Sequence, residues 1–172
     1  MKKRFSKYTK LGGLWLKSFV KKDKRNYPLI SVIMPNYKST NLEKSIKSVL
    51  NQTYKNVEFI LVDGDSGKKT IQILKKYNNK IDFWLSEKDN GMWDAWNKGF
   101  KLANGRFVGI VDSSNKLYPD AMKTLSKLGS KRHSRSPLKV TEGWQRQVIR
   151  NSQGSHLGPV VHPKWKVFLV LL

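Results

Sequence analysis

Apolar positions along this chain come in two rhythms. Residues 29–34 (Leu29, Ile30, Ser31, Val32, Ile33, Met34) form a short β-rich run that ends at Pro35, because proline has no amide to give to a strand ladder. Residues 57–62, 81–85 and 107–111 are further short runs of the same kind. Between them the apolar spacing becomes helical. Leu42, Ile46, Val49 and Leu50 share one face, and Thr40 with Glu43 stands in capping-box spacing, which predicts a helix beginning near Asn41. Ile71, Ile73 and Leu74 predict a second helix over about 69–77. A third is expected over 93–103, closed by Asn104-Gly105 as its C-cap. A fourth is expected over 119–128, with Pro119 in its first turn.

Strands alternating with helices through short loops predict an α/β fold, a mostly parallel sheet flanked by helices in three layers. Ligands of such sheets bind outside the carboxyl ends of the strands. That directs attention to segments 35–40, 63–67, 86–92 and 112–116. From Gly129 the character changes: residues 129–163 are rich in Ser, Gly, Lys and Arg and hold neither period. The chain therefore divides into a basic extension (1–27), a domain (28–128) and a basic, divergent tail (129–172) that cannot form a core of its own. There is no internal repeat.

With 172 residues there is enough chain for one ordinary core. Cysteine is absent, which excludes disulfides, thiolate nucleophiles and cysteine-based zinc sites and suits a reducing compartment. The longest apolar run, 167–172, falls far short of the roughly 20 residues of a spanning helix. Residues 2–20 have only the outline of a signal peptide, since Lys17 interrupts the apolar part and no small-x-small site follows. A cytoplasmic setting is expected. The net charge is +22 and sits mostly in the flanks: residues 1–27 contribute +9, 131–172 contribute +7, and 28–130 only +6. Such flanks suit an anionic surface, and acidic lipid headgroups give peripheral contact with the inner face of the cytoplasmic membrane. They equally suit a solvated tail. A nucleic-acid partner rests on charge alone, without a recognised binding motif, and is not expected.

Against this basic background the strand ends are acidic. Asp63 and Asp65 follow the second run, Glu87 and Asp89 the third, and Asp112 the fourth. Singly, each is an ordinary turn residue. Together at the ligand edge, they can hold a metal, orient a ribose hydroxyl or accept from a base N–H.

At these residues a resemblance enters. PLISVIMPNYKSTNLEKSIKSVLNQTYKNVEFILVDGDS (28–66) and LSEKDNGMWDAWNKGFKLANGRFVGIVDSSN (85–115) resemble the opening half of family-two glycosyltransferases. They share its Pro-x-Tyr turn, its SVLNQTY helix end, its acidic turn and its D-A-x-N-x-G helix leading to the metal loop. The resemblance implies a GT-A (Rossmann-like) fold, incomplete here on its C-terminal side. It also implies inverting transfer of a sugar from a nucleoside-diphosphate sugar, most often of the UDP type, to a cell-envelope polysaccharide or lipid-linked acceptor. By the same resemblance Pro35 and Tyr37 lie beside the nucleotide. Asp63, with Asp65 beside it, contacts the base or ribose, and Asp89 lies near the ribose. Asn97 and Lys98 sit on the next helix, while Trp93 and Trp96 are expected to pack rather than to stack on sugar.

The sequence departs from the family twice. The family's metal loop ends in acids that hold Mn²⁺ or Mg²⁺, and here the aligned residues are Asp112, Ser113, Ser114 and Asn115. Hard cations want anionic oxygens, so Asp112 and Asn115 predict weak metal binding at most. An inverting transferase also needs a general base, and after Asp120 the only acid is Glu142, in no matching context. No catalytic residue is assigned. The alternative expectation is therefore an impaired or truncated derivative that binds nucleotide without turnover, with the tail as a disrupted reading frame.

Overall fold

The computed structural model describes residues 10–128, 149–150, 156–157 and 167–171. The strands are β1 (Leu11–Gly12), β2 (Ile30–Asn36), β3 (Val57–Asp63), β4 (Phe83–Ser86), β5 (Phe107–Val111), β6 (Ile149–Arg150), β7 (His156–Leu157) and β8 (Val167–Leu171). The helices are α1 (Leu42–Leu50), α2 (Lys68–Lys76), α3 (Met92–Leu102) and α4 (Ala121–Leu128), with a 3₁₀ turn at Leu14–Lys17. The main sheet runs β1-β4-β3-β2-β5-β8. All its pairings are parallel except β1 with β4. β6 and β7 form a separate antiparallel pair. The chain leaves β2 toward β3 and β4, then returns to β5 on the other side. The carboxyl ends of β2 and β5 therefore flank a topological switch point, the place where such sheets open a crevice.

Every residue of β2, β3 and β5 is buried, as expected of strands covered on both faces. Alternate residues feed two apolar layers. Ile30, Val32 and Met34 pack with Leu42, Ile46 and Val49 of α1, Leu74 of α2, and Met122 and Leu125 of α4. Ile33, Ile60, Val62, Val108 and Ile110 pack with Trp15, Ala95 and Leu102 on the opposite face. The three-layer α/β reading of the sequence is what the structure has. Close approach of α3 to the sheet depends on Gly99, where an added Cβ would stand 2.4 Å from Ile33 Cγ2.

Local signals served less well at helix ends. Asn41 caps α1 without a side-chain hydrogen bond. The Glu43 carboxylate instead pairs with Lys76 at 2.8 Å and accepts from the Tyr77 hydroxyl. These donors hold its pKa down at about 2. Tertiary partners thus displace the expected capping box. Asn104-Gly105 is not a left-handed cap either, since α3 ends on extended Ala103. The Asn104 amide and side chain both donate to buried Glu58 at 2.8 Å, and Gly105 lies so close to Ser31 that a Cβ would meet its backbone at 2.6 Å.

The segment before β2 is part of the packed body. β1 extends the sheet beside β4, Trp15 stacks on Phe83 at 5.0 Å between ring centroids, and Lys21 reaches the fully buried Asp82 at 2.8 Å. Glu142, expected only as an isolated acid, lies outside the described residues.

Candidate functional site

Four loops leave the carboxyl edge of the sheet together and enclose a cavity of about 770 Å³. The loop after β2 contributes Tyr37, Lys38, Ser39 and Thr40 to its lining, and the strand itself contributes Pro35 and Asn36. Gly64 and Asp65 come from the loop after β3. Lys88, Asp89 and Gly91 come from the loop before α3, and Asp112, Ser113 and Ser114 from the loop after β5. Five of the residues singled out from the sequence, Pro35, Tyr37, Asp65, Asp89 and Asp112, thus face one space. Asn115 is exposed and outside that lining.

Asp63 lies beneath the lining and is fully buried. Its carboxylate accepts from Asn36 Nδ2 at 2.6 Å, the Ser66 hydroxyl at 2.6 Å, the Ser66 amide at 3.1 Å and the Ser86 hydroxyl at 2.7 Å. Its backbone carbonyl accepts from the Glu87 amide. One carboxylate therefore ties together the ends of β2, β3 and β4. Asn36 escaped the sequence reading because nothing local marks a residue as the partner of an acid 27 positions away, and Ser66, only three residues on, was not singled out within the polar turn 63–67.

The other acids are each partly engaged. Asp65 adopts a left-handed backbone at φ 59°, a conformation Asp tolerates better than most, and pairs with Lys10 at 2.7 Å. Asp89 accepts from the Gly91 amide at 3.0 Å and stands over Gly64, where an added Cβ would come within 2.8 Å of its Oδ2. Asp112 Oδ1 accepts from the Ser114 amide at 2.7 Å and from the Ser114 hydroxyl. Lys98 clamps the loop before α3 by pairing with Glu87 at 2.8 Å and Asp94 at 3.1 Å. Burial opposes its charge, yet the two carboxylates prevail and hold its pKa above the ordinary lysine value. Trp93 and Trp96 meet edge to face at 4.6 Å, outside the cavity lining.

The donor set at the cavity suits a divalent ion poorly. Among the described residues no three His, Asp or Glu side chains come together. The loop after β5 offers one carboxylate, with an oxygen already bound by its own turn, and otherwise neutral hydroxyl and amide oxygens. Mn²⁺ or Mg²⁺ prefers several anionic oxygens. These residues do not fit a tightly held ion.

Residues 31–134, which carry these strands and loops, match the family model described as glycosyl transferase family 2. The chain belongs to glycosyl transferase family 2. Among curated family relatives, it is 37% identical over 89 residues to the UDP-Glc:alpha-D-GlcNAc-diphosphoundecaprenol beta-1,3-glucosyltransferase WfgD of Escherichia coli, covering 51% of this chain and 35% of that protein. Among solved structures, S. aureus TarS 1-349 in complex with UDP-GlcNAc superposes with a TM-score of 0.54 at 28% identity, over 59% of this chain and 31% of that one. Mannosyltransferase PcManGT from Pyrobaculum calidifontis, solved with GDP-Man and Mn²⁺, gives 0.52 at 22% identity over 72% of this chain and 35% of that one. The fold is that of GT-A glycosyltransferases. The family-two chain spans about a third of the length of these proteins.

Proposed function

We propose that this chain binds a nucleoside-diphosphate sugar, of the UDP type, in the cavity at the sheet's carboxyl edge. There it supplies the donor side of an inverting transfer to a saccharide or lipid-linked acceptor of the cell envelope. The observation carrying this reading is the convergence of Pro35, Tyr37, Asp65, Asp89 and Asp112 on one cavity in a family-two chain. Pro35 and Tyr37 flank the nucleotide in this proposal, and Asp65 and Asp89 accept from base N–H and ribose hydroxyl groups. Asp63 acts as a positioning residue through the four bonds it receives. Asp112 shapes the loop at the diphosphate end through the bonds it receives from Ser114, with Asn115 as a neutral neighbour. In the reaction the acceptor oxygen bonds to the anomeric carbon as the carbon–oxygen bond to the diphosphate breaks. The electron pair leaves with the diphosphate, and the acceptor proton passes to a general base.

The lipid-linked acceptor of the E. coli relative supports peripheral contact with the inner face of the cytoplasmic membrane. Among the described residues no helix is long and apolar enough to cross a membrane. Titration calorimetry with UDP, GDP and their sugar conjugates tests the reading, the expected result being saturable binding of one nucleotide series. Absence of binding by every nucleotide would sink it. A second reading, nucleotide binding without turnover, is favoured by Ser114 and Asn115 standing where the family carries acids. Release of free sugar or glycosylated acceptor from a bound conjugate would decide against it.

A further inference from the structure

Two cations face the cavity outside any ion pair among the described residues. Asp65 is paired with Lys10, Asp89 accepts from the Gly91 amide, and Asp112 accepts twice from Ser114. Lys38 and Lys88 line the same cavity, and neither is in an ion pair among the described residues.

Lys38 is held by its surroundings. Its backbone is left-handed at φ 52°, and its amide donates to the Ser66 hydroxyl at 2.7 Å. The next residue, Ser39, donates its hydroxyl to the Ser113 carbonyl at 2.8 Å. The Lys38 backbone is thus fixed between the loop after β3 and the loop after β5, beside the Ser114 and Asn115 positions where this chain lacks the family's acids. Its ammonium lies 5.0 Å from the centre of the Tyr37 ring. Lys88 belongs to the loop that Lys98 clamps through Glu87 and Asp94, and Asp94 also accepts from the Asn90 amide at 3.1 Å. Both lysines therefore project from anchored backbone.

We propose that Lys38 and Lys88 bind the donor's diphosphate, so that its recognition here does not depend on a divalent cation. The inference rests on the donor-site reading above. An ammonium is a compact charge with three donors and pairs with phosphate oxygens as a point charge. Placed in a cavity, it favours the negative charge that grows on the departing diphosphate. That is the electrostatic task which the single carboxylate of the β5 loop leaves without a metal to perform it.

Titration of the full chain with uridine, UMP and UDP, and with guanosine, GMP and GDP in parallel, tests this in EDTA and again in Mn²⁺. In EDTA the diphosphate is expected to bind about tenfold tighter than the monophosphate, the scale of one charge-assisted contact, and Mn²⁺ should leave that ratio unchanged. Lys38→Met and Lys88→Met should each remove most of the ratio while leaving nucleoside affinity as it was, which also reports an intact fold. Lys38→Arg should preserve it. A diphosphate preference that arises only with Mn²⁺ overturns this proposal and leaves the donor-site reading standing. So does a ratio unmoved by both methionine variants. Failure of every nucleoside and nucleotide to bind overturns both.

Discussion

Two buried carboxylates show how differently one residue type can serve this fold. Asp63 is surrounded by donors from the ends of β2 and β4 and from the loop after β3, and works as a joint under the cavity. Glu58 is also fully buried, and it accepts from the Ser31 hydroxyl at 2.5 Å and twice from Asn104. Burial nonetheless pushes its pKa above the ordinary glutamate value, with those hydrogen bonds opposing the rise. A carboxyl whose folded pKa is raised favours the folded state while it stays protonated, and that contribution is lost as pH rises through the folded value. Wild type should therefore lose stability relative to Glu58→Gln as pH rises from about 4, the ordinary carboxylate region, through the elevated folded value. Thermal melts of both proteins across that range provide the check, and a pH-independent difference in Tm would refute it. Neither role is written in the local sequence, where Glu58 and Asp63 are simply acids in and after an apolar run.

At the scale of elements, the β5 loop and the first segment make separate claims. Restoring acids with Ser114→Asp and Asn115→Asp adds anionic oxygen beside Asp112. We expect Mn²⁺-dependent nucleotide affinity to rise by about tenfold, the worth of one added charged contact. Calorimetry with and without Mn²⁺ measures it, and an unchanged affinity would mean the loop no longer stands at the diphosphate. The segment around β1 was set apart in the sequence by its charge, yet Trp15 is buried against Phe83 and Lys21 neutralises Asp82. Removing so large a buried aromatic costs about 3 kcal/mol or more, so Trp15→Ala should lower the denaturant midpoint strongly. A shift of only a few tenths of a kcal/mol, the usual surface value, would show that the segment is dispensable. Composition concealed this role because ten basic residues in 1–27 outvote one tryptophan.

At the scale of the whole molecule, Lys10 reaches Asp65 at the cavity, but the rest of the described basic segment, from the 3₁₀ turn to Arg25, lies at the opposite edge of the sheet. The 3₁₀ turn is bonded to Ile81 and Asp82, ahead of β4, and Lys21 reaches the Val57 carbonyl at the start of β3. Leu16, Phe19 and Val20 are exposed there, next to Lys17, Lys22, Lys24 and Arg25. Contact with an anionic bilayer through this edge would leave the cavity open to soluble nucleotide. Each basic residue near such a surface contributes about 1 kcal/mol. Lys22→Glu, Lys24→Glu and Arg25→Glu together should abolish co-sedimentation with phosphatidylglycerol vesicles, and neutral vesicles should retain neither protein. Undiminished binding would clear this edge of the role.

The alternation of apolar runs with helical spacing was enough to determine a parallel α/β sheet and the edge where its loops gather, because burial on both faces demands those periods whatever the partners. The motifs in 28–66 and 85–115, and not that periodicity, carried the resemblance to the family. Tertiary structure alone decided which acids face the cavity and which are consumed beneath it. It decided that Glu43 serves Lys76 and Tyr77 rather than a cap, and that Gly99 and Gly105 are sites of close approach. Those outcomes depend on groups distant in the chain competing for the same donors and the same space. No local pattern records that competition.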